Sequence, residues 1–285
     1  MGLSENIKGI HHVSVSAYDG EAASRWYQEN LGFELVQKKI TAMNGKSEFF
    51  LLRKGNLLVE LAQPHGRLRE ETRLRKIGVL DHYAIDTADL DVQAERALRK
   101  GMTLHGSTPD GITSYPHLGR NGVKGINFTG PEGEVIEFCH DESTDYSGKT
   151  GLLGFAHLAL KVLNLEHTEE FYGKLGFCKT GEGYLLAPGG KIRVAFLEHQ
   201  GYVLEIIETD KGGSLEEKKQ GGRIDHFALE VADVKAALYQ AKKAKLPLLN
   251  HVIQELPLVE QGVKYFFVQG PDGERIEFVE IVSNV

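Results

Sequence analysis

Four short stretches of the chain share one alternation of apolar and polar positions, and each carries a histidine: GIHHVSVSA, VLDHYAIDTAD, GFAHLALKVLN and RIDHFALEVAD. Alternation of period two predicts strands whose successive side chains face opposite ways. Ile10–Ala17 is the first of them. A segment with helical spacing follows each strand. Ala23, Tyr27 and Leu31 form one apolar stripe of a helix predicted from Gly20 to Leu31, with Asp19 as its cap and Gly32 as its stop. The same spacing predicts helices over Leu90–Lys100, Leu165–Leu175 and Val234–Ala244. About three shorter strands are expected after each helix.

These elements make four modules, written as a pair and repeated. His12 and His157 lie 145 residues apart, as do Glu60 and Glu205; His82 and His226 are separated by 144 and Glu137 and Glu277 by 140. The four-residue difference is assigned to a loop around Gly111–Leu118 that is longer in the first copy. The polar stretch His140–Gly151 reads as the linker between copies. An α+β fold is expected, with four β-α-β-β-β modules paired into two half-barrel domains, 1–142 and 152–285. Modules one with two and three with four is one pairing; one with four and two with three is the other.

In each histidine-bearing strand the bulky apolar residues (Val13 and Val15, for example) share one face and the histidine shares the other with small residues. Glu60, Glu137, Glu205 and Glu277 sit in apolar strands as well, where an ionised carboxylate costs several kcal/mol unless it is paired or holds a cation. Two histidines and two glutamates per half suit a divalent metal: Zn, Ni, Co, Mn or Fe, up to two ions per chain. The candidate ligands are His12, Glu60, His82, Glu137, His157, Glu205, His226 and Glu277. His11 competes with His12, but the equivalent position in the second copy is Ala156.

Composition narrows the partners. With 33 basic and 40 acidic residues the net charge is −7, a poor match for nucleic acid. Cys139 and Cys178 form no CxxC pair, so neither a disulfide scaffold nor a thiolate zinc site is offered. They read as strand fillers. No run of about 18 apolar residues suggests a membrane span, and no apolar signal core opens the chain. A cytoplasmic monomer or homodimer acting on a small molecule is expected.

The stretches HHVSVSAYDGEAASRWYQENLGF and HLALKVLNLEHTEEFYGKLGF, with the endings GPEGEVIEF and GPDGERIEF, resemble the vicinal oxygen chelate superfamily. That superfamily includes glyoxalase I, extradiol dioxygenases and bleomycin-resistance proteins. The resemblance runs over Ile7–Glu142 and Leu152–Val282. It implies modules curled around a metal, with the eight residues above as ligands. Retention of all four ligands in both halves favours a glyoxalase-like lyase or isomerase that abstracts a proton next to a carbonyl, with Glu137 and Glu277 as the bases. The implied substrate is a hydroxycarbonyl, a thiol conjugate or an aromatic diol. Overall length, and Tyr265 near that family's tyrosine, keep an Fe(II) extradiol ring-cleaving dioxygenase as an alternative. A non-catalytic small-molecule-binding or resistance protein is a third. Lys124, Lys264 and the basic run His65–Lys76 are set down as solvated surface ahead of any anion-binding role. The segment around Tyr115–His117 is a candidate lid of the first copy.

Overall fold

A computed structural model of the chain describes residues 2–41, 46–187, 189–209, 222–257 and 262–282. The first module comprises a short α1 (Leu3–Asn6), β1 (Ile7–Ser16), α2 (Gly20–Trp26), β2 (Glu34–Thr41), β3 (Ser47–Lys54) and β4 (Leu57–Pro64). The Asp19 carboxylate caps α2 by accepting from the Ala22 N–H at 3.0 Å. The helix continues as a wider turn, Tyr27–Leu31, and stops at Gly32, whose φ of 68° is the left-handed conformation a side chain disfavours. After α3 (Arg67–Thr72), the second module contains β5 (Leu80–Thr87), α4 (Leu90–Arg99), β6 (Thr103–Leu104), β7 (Thr113–Tyr115), β8 (Val123–Thr129) and β9 (Val135–Asp141). The third has β10 (Leu152–Val162), α5 (Leu165–Lys174), β11 (Cys178–Ala187), β12 (Gly190–His199) and β13 (Tyr202–Glu208). The fourth has β14 (Ile224–Val231), α6 (Val234–Lys243), β15 (Gln254–Leu256), β16 (Val263–Gln269) and β17 (Arg275–Ile281).

Two curled sheets result, and they cut across the sequence repeat. One runs β15-β16-β17-β14-β1-β4-β3-β2, the other β11-β12-β13-β10-β5-β9-β8-β6 with β7 paired to β8. Module one therefore joins four, and two joins three. Units 1–142 and 152–285, expected to be the paired-module domains, are not the units of the sheets; each sheet takes one module from each half. The reason is geometric. His140–Gly151 joins β9 to β10, which belong to one sheet, so the linker between copies is a connection inside a half-barrel. It is also docked: the Tyr146 hydroxyl donates to Asp86 at 2.5 Å, and its ring stacks on His140.

The two modules within each half of the sequence meet instead on the helix side, where the two sheets face each other. Val13, Val15, Tyr83, Leu158, Leu160, Phe227 and Leu229 are fully buried on the helix side of the two sheets. There the Tyr27 hydroxyl donates to Glu134 at 2.5 Å and lies 2.6 Å from the Tyr83 hydroxyl, joining modules one and two. Tyr172 donates to Glu274 at 2.8 Å, joining three and four. Both glutamates come from the GPxGE turns. A side chain at Gly270 would lie 2.0 Å from the Glu274 carboxylate, which explains that turn's glycine. Burial, the largest influence, lifts both carboxyls to about 7 in spite of these hydrogen bonds. Among the described residues no helix is long and apolar enough to cross a membrane.

Candidate metal centres

Each sheet has an antiparallel seam at its middle, β1 with β14 and β10 with β5, and irregularities in these seams set the chemistry. Pairing skips from Ile10–Leu229 to His12–Ala228, leaving His11 as the extra residue of a bulge. It skips again between Ser14–His226 and Val15–Ile224, leaving Asp225 extra. The other seam does the same at Ala156 and Asp81. A bulge re-aims one side chain, so Asp81 and Asp225 reach the histidine beside them although simple alternation would separate them.

The result is two clusters with one plan. In the first, the Nε2 atoms of His12 and His226 are 3.3 Å apart, and the Glu277 Oε2 is 3.4 Å from each. Glu60 stands 3.9 Å from His12 and accepts from the Ser14 hydroxyl at 2.9 Å. In the second, the Nε2 atoms of His82 and His157 are also 3.3 Å apart. Glu137 Oε2 lies 2.9 and 3.2 Å from them, and Glu205 Oε2 lies 3.6 and 3.5 Å away. All eight side chains are buried. The structure thus brings together His12, Glu60, His226 and Glu277, and separately His82, Glu137, His157 and Glu205.

The far nitrogens of His82 and His226 are anchored. His82 Nδ1 is 2.9 Å from Asp81, which also pairs with Lys161 at 2.6 Å. His226 Nδ1 is 2.9 Å from Asp225, which receives Arg75 and Arg275, each at 2.6 Å. A carboxylate only accepts, so each Nδ1 donates and Nε2 points into the cluster. Burial, the largest influence, works against charge on His82, but hydrogen bonds to Asp81 and Glu137 outweigh it and push its pKa up to about 10; Asp225 and Glu277 push His226 up to about 9 in the same way. Burial raises Glu60 to about 7. Glu205 is raised by burial, whereas Glu137, desolvated too, is drawn down to about 2 by hydrogen bonds from His157 and His82.

Residues 9–138 match a family described as the Glyoxalase/Bleomycin resistance protein/Dioxygenase superfamily, and residues 156–267 match a second family of the same description. The chain belongs to this superfamily. The Bacillus subtilis (strain 168) protein YwbC, itself uncharacterized, is 30% identical over 124 residues, spanning 44% of this chain and 94% of its own length. Glyoxalase I from Zea mays superposes with a TM-score of 0.70 at 21% identity, covering 98% of this chain and 94% of its own. A putative dioxygenase from Bacillus subtilis gives 0.66 at 15% identity, covering 97% and 86%. These two structures share the fold of this superfamily member.

Both clusters fit a divalent ion. Nitrogen and oxygen donors about 2.0–2.2 Å from one ion stand about 3.0–3.4 Å from each other, and most separations above fall in or close to that range. In one cluster His12, His226 and Glu277, and in the other His82, His157 and Glu205, offer donor atoms all within 4.8 Å of one another.

Their surroundings differ. The His82 cluster floors a cavity of about 930 Å³; the His12 cluster has about 210 Å³. Equivalent strand positions explain this. Gly125 and Asn127 on β8 correspond to Tyr265 and Phe267 on β16, and both aromatics line the smaller cavity. His11, where the other copy has Ala156, fills further space. A side chain at Gly125 would lie 2.0 Å from a Glu137 carboxylate oxygen. The Asn127 side-chain oxygen is buried without a hydrogen-bond partner among the described residues, which costs about 1–3 kcal/mol if nothing fills it.

Other expected residues settle as follows. Lys124 pairs with Glu142 at 2.5 Å and Lys264 with Glu255 at 3.6 Å, both at the surface. Within His65–Lys76, Arg69 donates to the Tyr18 carbonyl at 2.6 Å and Arg73 lies over the Tyr18 ring, while Arg75 reaches Ser16 and Asp225. That run is part clamp rather than simply solvated surface. Cys139 is buried in the larger cavity's wall; Cys178, expected to fill a strand, is exposed on β11. The segment around Tyr115–His117 lies across that cavity, with His117 stacked on Tyr184. Asp81, Asp225 and Asn127 escaped the sequence reading. The Asp-His dipeptides of VLDH and RIDH were the visible signal, hidden by the assumption of unbroken alternation.

Proposed function

We propose that the chain is a divalent-metal lyase or isomerase that moves a proton next to a carbonyl, and that turnover takes place at the His82, Glu137, His157 and Glu205 centre. The observation that carries this reading is the placement of four converging His and Glu side chains on the floor of a cavity of about 930 Å³, a size that accommodates a small organic substrate. His82, His157, Glu137 and Glu205 would hold the ion in one centre, and His12, His226, Glu60 and Glu277 in the other. A divalent ion bound there supplies a Lewis acid for the carbonyl oxygen.

The side chains divide the remaining work. Glu137 is the proposed base: it faces the cavity, and Gly125 leaves its carboxylate free space. Asp81 fixes the His82 ring so that Nε2 faces inward. Leu118, Phe155 and Phe196 exclude water from one wall. Glu277 holds the corresponding position in the smaller centre, where Tyr265 and Phe267 restrict entry.

The test is metal analysis of protein purified without added metal, followed by turnover of hemithioacetals and of catechols with and without oxygen. About two equivalents of Zn, Ni, Co or Mn and oxygen-independent isomerisation are expected. Iron with oxygen-dependent ring cleavage would replace this reading with the dioxygenase, and failure to take up any metal would replace it with a binding protein.

A further inference from the structure

The larger cavity contains two polar groups that the proton-transfer reading leaves unused. Asn127 lies directly across the β8–β9 ladder from Glu137, so both side chains share the face that lines the cavity. Its backbone is fully engaged: the N–H donates to the Thr108 hydroxyl at 2.8 Å, and the carbonyl accepts from the His105 N–H at 2.8 Å. Its side-chain oxygen, on a residue 5% exposed, has no partner among the described residues. In the smaller centre the equivalent residue is Phe267, so nothing in the fold requires a carboxamide here.

Arg120 is the second group. It is carried between β7 and β8 by the Gly-Arg-Asn-Gly turn, whose Gly119 and Gly122 have φ of 64° and 95°. The turn is held across the cavity by Leu118, 3% exposed, and by His117, whose carbonyl would lie 2.0 Å from a side chain at Gly183. The acids around the cavity already have partners. Asp86 takes the Tyr146 hydroxyl, Asp141 takes Ser143, and Glu182 takes Lys179 and Arg193. Lys161 is held by Asp81. Arg120 alone among the charged groups lining this cavity has no ion-pair or hydrogen-bond partner among the described residues other than what a ligand would bring.

We propose that the ligand of this cavity is an organic anion with a hydrogen-bond donor in its body, an amide N–H or a hydroxyl. Asn127 accepts from that donor beside the His/Glu cluster, and Arg120 binds the carboxylate or other anionic end at the mouth. The inference rests on the metal-centred reading of this site and specifies its substrate class: a chelating end, a donor-bearing middle and an anionic tail.

Succinylglycine hydroxamate carries all three parts. Its sarcosine counterpart lacks the N–H, and its methyl ester lacks the charge. Calorimetric titration of these probes into the metal-loaded full chain gives two cycles. The parent should lose about tenfold in affinity on N-methylation and about tenfold on esterification, about 1.4 kcal/mol each. Asn127→Leu should abolish only the first loss and Arg120→Gln only the second. Asn127→Thr, which keeps an acceptor, should retain the N–H preference and guards against a folding defect in the leucine variant. Equal affinity of the unsubstituted chain for all three probes, or penalties that persist unchanged in the variants, overturns the inference while leaving the metal reading standing. Absence of any hydroxamate binding by metal-loaded protein overturns both.

Discussion

The two His/Glu clusters are built on the same strand positions, yet one opens onto about 930 Å³ and the other onto about 210 Å³. The difference comes from the residues around the clusters rather than from the eight His and Glu themselves. Gly125 and Asn127 stand where the other centre has Tyr265 and Phe267, and Ala156 stands where it has His11. Ser14 gives Glu60 a hydroxyl donor, whereas the equivalent Ala159 gives Glu205 none. Behind the histidines, Asp225 is gripped by two arginines and Asp81 by one lysine. Duplication preserved the donors while the walls diverged: one centre is roomy, the other tightly packed and firmly held. The comparison teaches that counting His and Glu positions locates two clusters but does not rank them.

The sharpest way to break this division is at the glutamates. Glu137→Gln should lower turnover by about 10²–10⁴-fold, the ordinary worth of a positioned base. Glu277→Gln should leave most of it, and the double variant should be no worse than Glu137→Gln alone. Steady-state rates on the best hemithioacetal decide the matter; an equal loss in Glu277→Gln would show both centres turning over.

A second contrast lies behind the sheets, where Glu134 accepts from Tyr27, whose hydroxyl is in turn paired with Tyr83, whereas Glu274 accepts from Tyr172, with Phe227 in place of the second tyrosine. Both carboxyls are raised to about 7 from an ordinary value near 4.5. The folded chain therefore keeps protons that the unfolded chain has released. Their stabilising contribution is complete below about pH 4.5, falls as pH rises to about 7 and is flat above; the loss approaches about 3 kcal/mol per group. Glu134→Gln or Glu274→Gln should each remove part of that slope, read from denaturant midpoints across pH 4.5–8. A slope unchanged in both variants would contradict the burial argument.

Metal affinity should sharpen the comparison further. Asp225→Asn and Asp81→Asn should each weaken one ion by about 10–100-fold in chelator competition, as loss of a histidine's anchoring carboxylate does. The Asp225 variant should show the larger effect because Arg75 and Arg275 are left unpaired. Equal effects would mean that the arginines add nothing. The smallest change is expected from His11→Ala. His11 Nδ1 lies 2.8 Å from His12 Nδ1, so its removal should cost the His12 centre about 1 kcal/mol of metal affinity, with the other ion unaffected.

Much of this was legible before any coordinates. The helix from Asp19 to Gly32 was signalled by a cap, an apolar stripe and a stop, all local properties. The eight His and Glu positions followed from alternation in strands and from matching offsets. Alternation failed at the bulges, because an extra residue on one strand is set by how two strands meet. Asp81, Asp225 and the facing of His11 were lost for that reason. Asn127 was unreadable for another: a polar residue in a strand looks solvated until the strand is seen to be buried.

By itself, then, the sequence determined four modules, their elements, and two histidines and two glutamates on the inner faces of each half. Local propensity and side-chain periodicity are sufficient for that. Only the tertiary structure decided that β1 pairs with β14 and β10 with β5, and hence which four residues form each cluster. The repeated modules present nearly equivalent strand edges, so hydrogen bonding alone favours neither pairing. The choice is made by long-range packing: the short connection from β9 to β10 stays within one sheet, and the Tyr27–Glu134 and Tyr172–Glu274 contacts, each inside one half of the sequence, join the two sheets back to back.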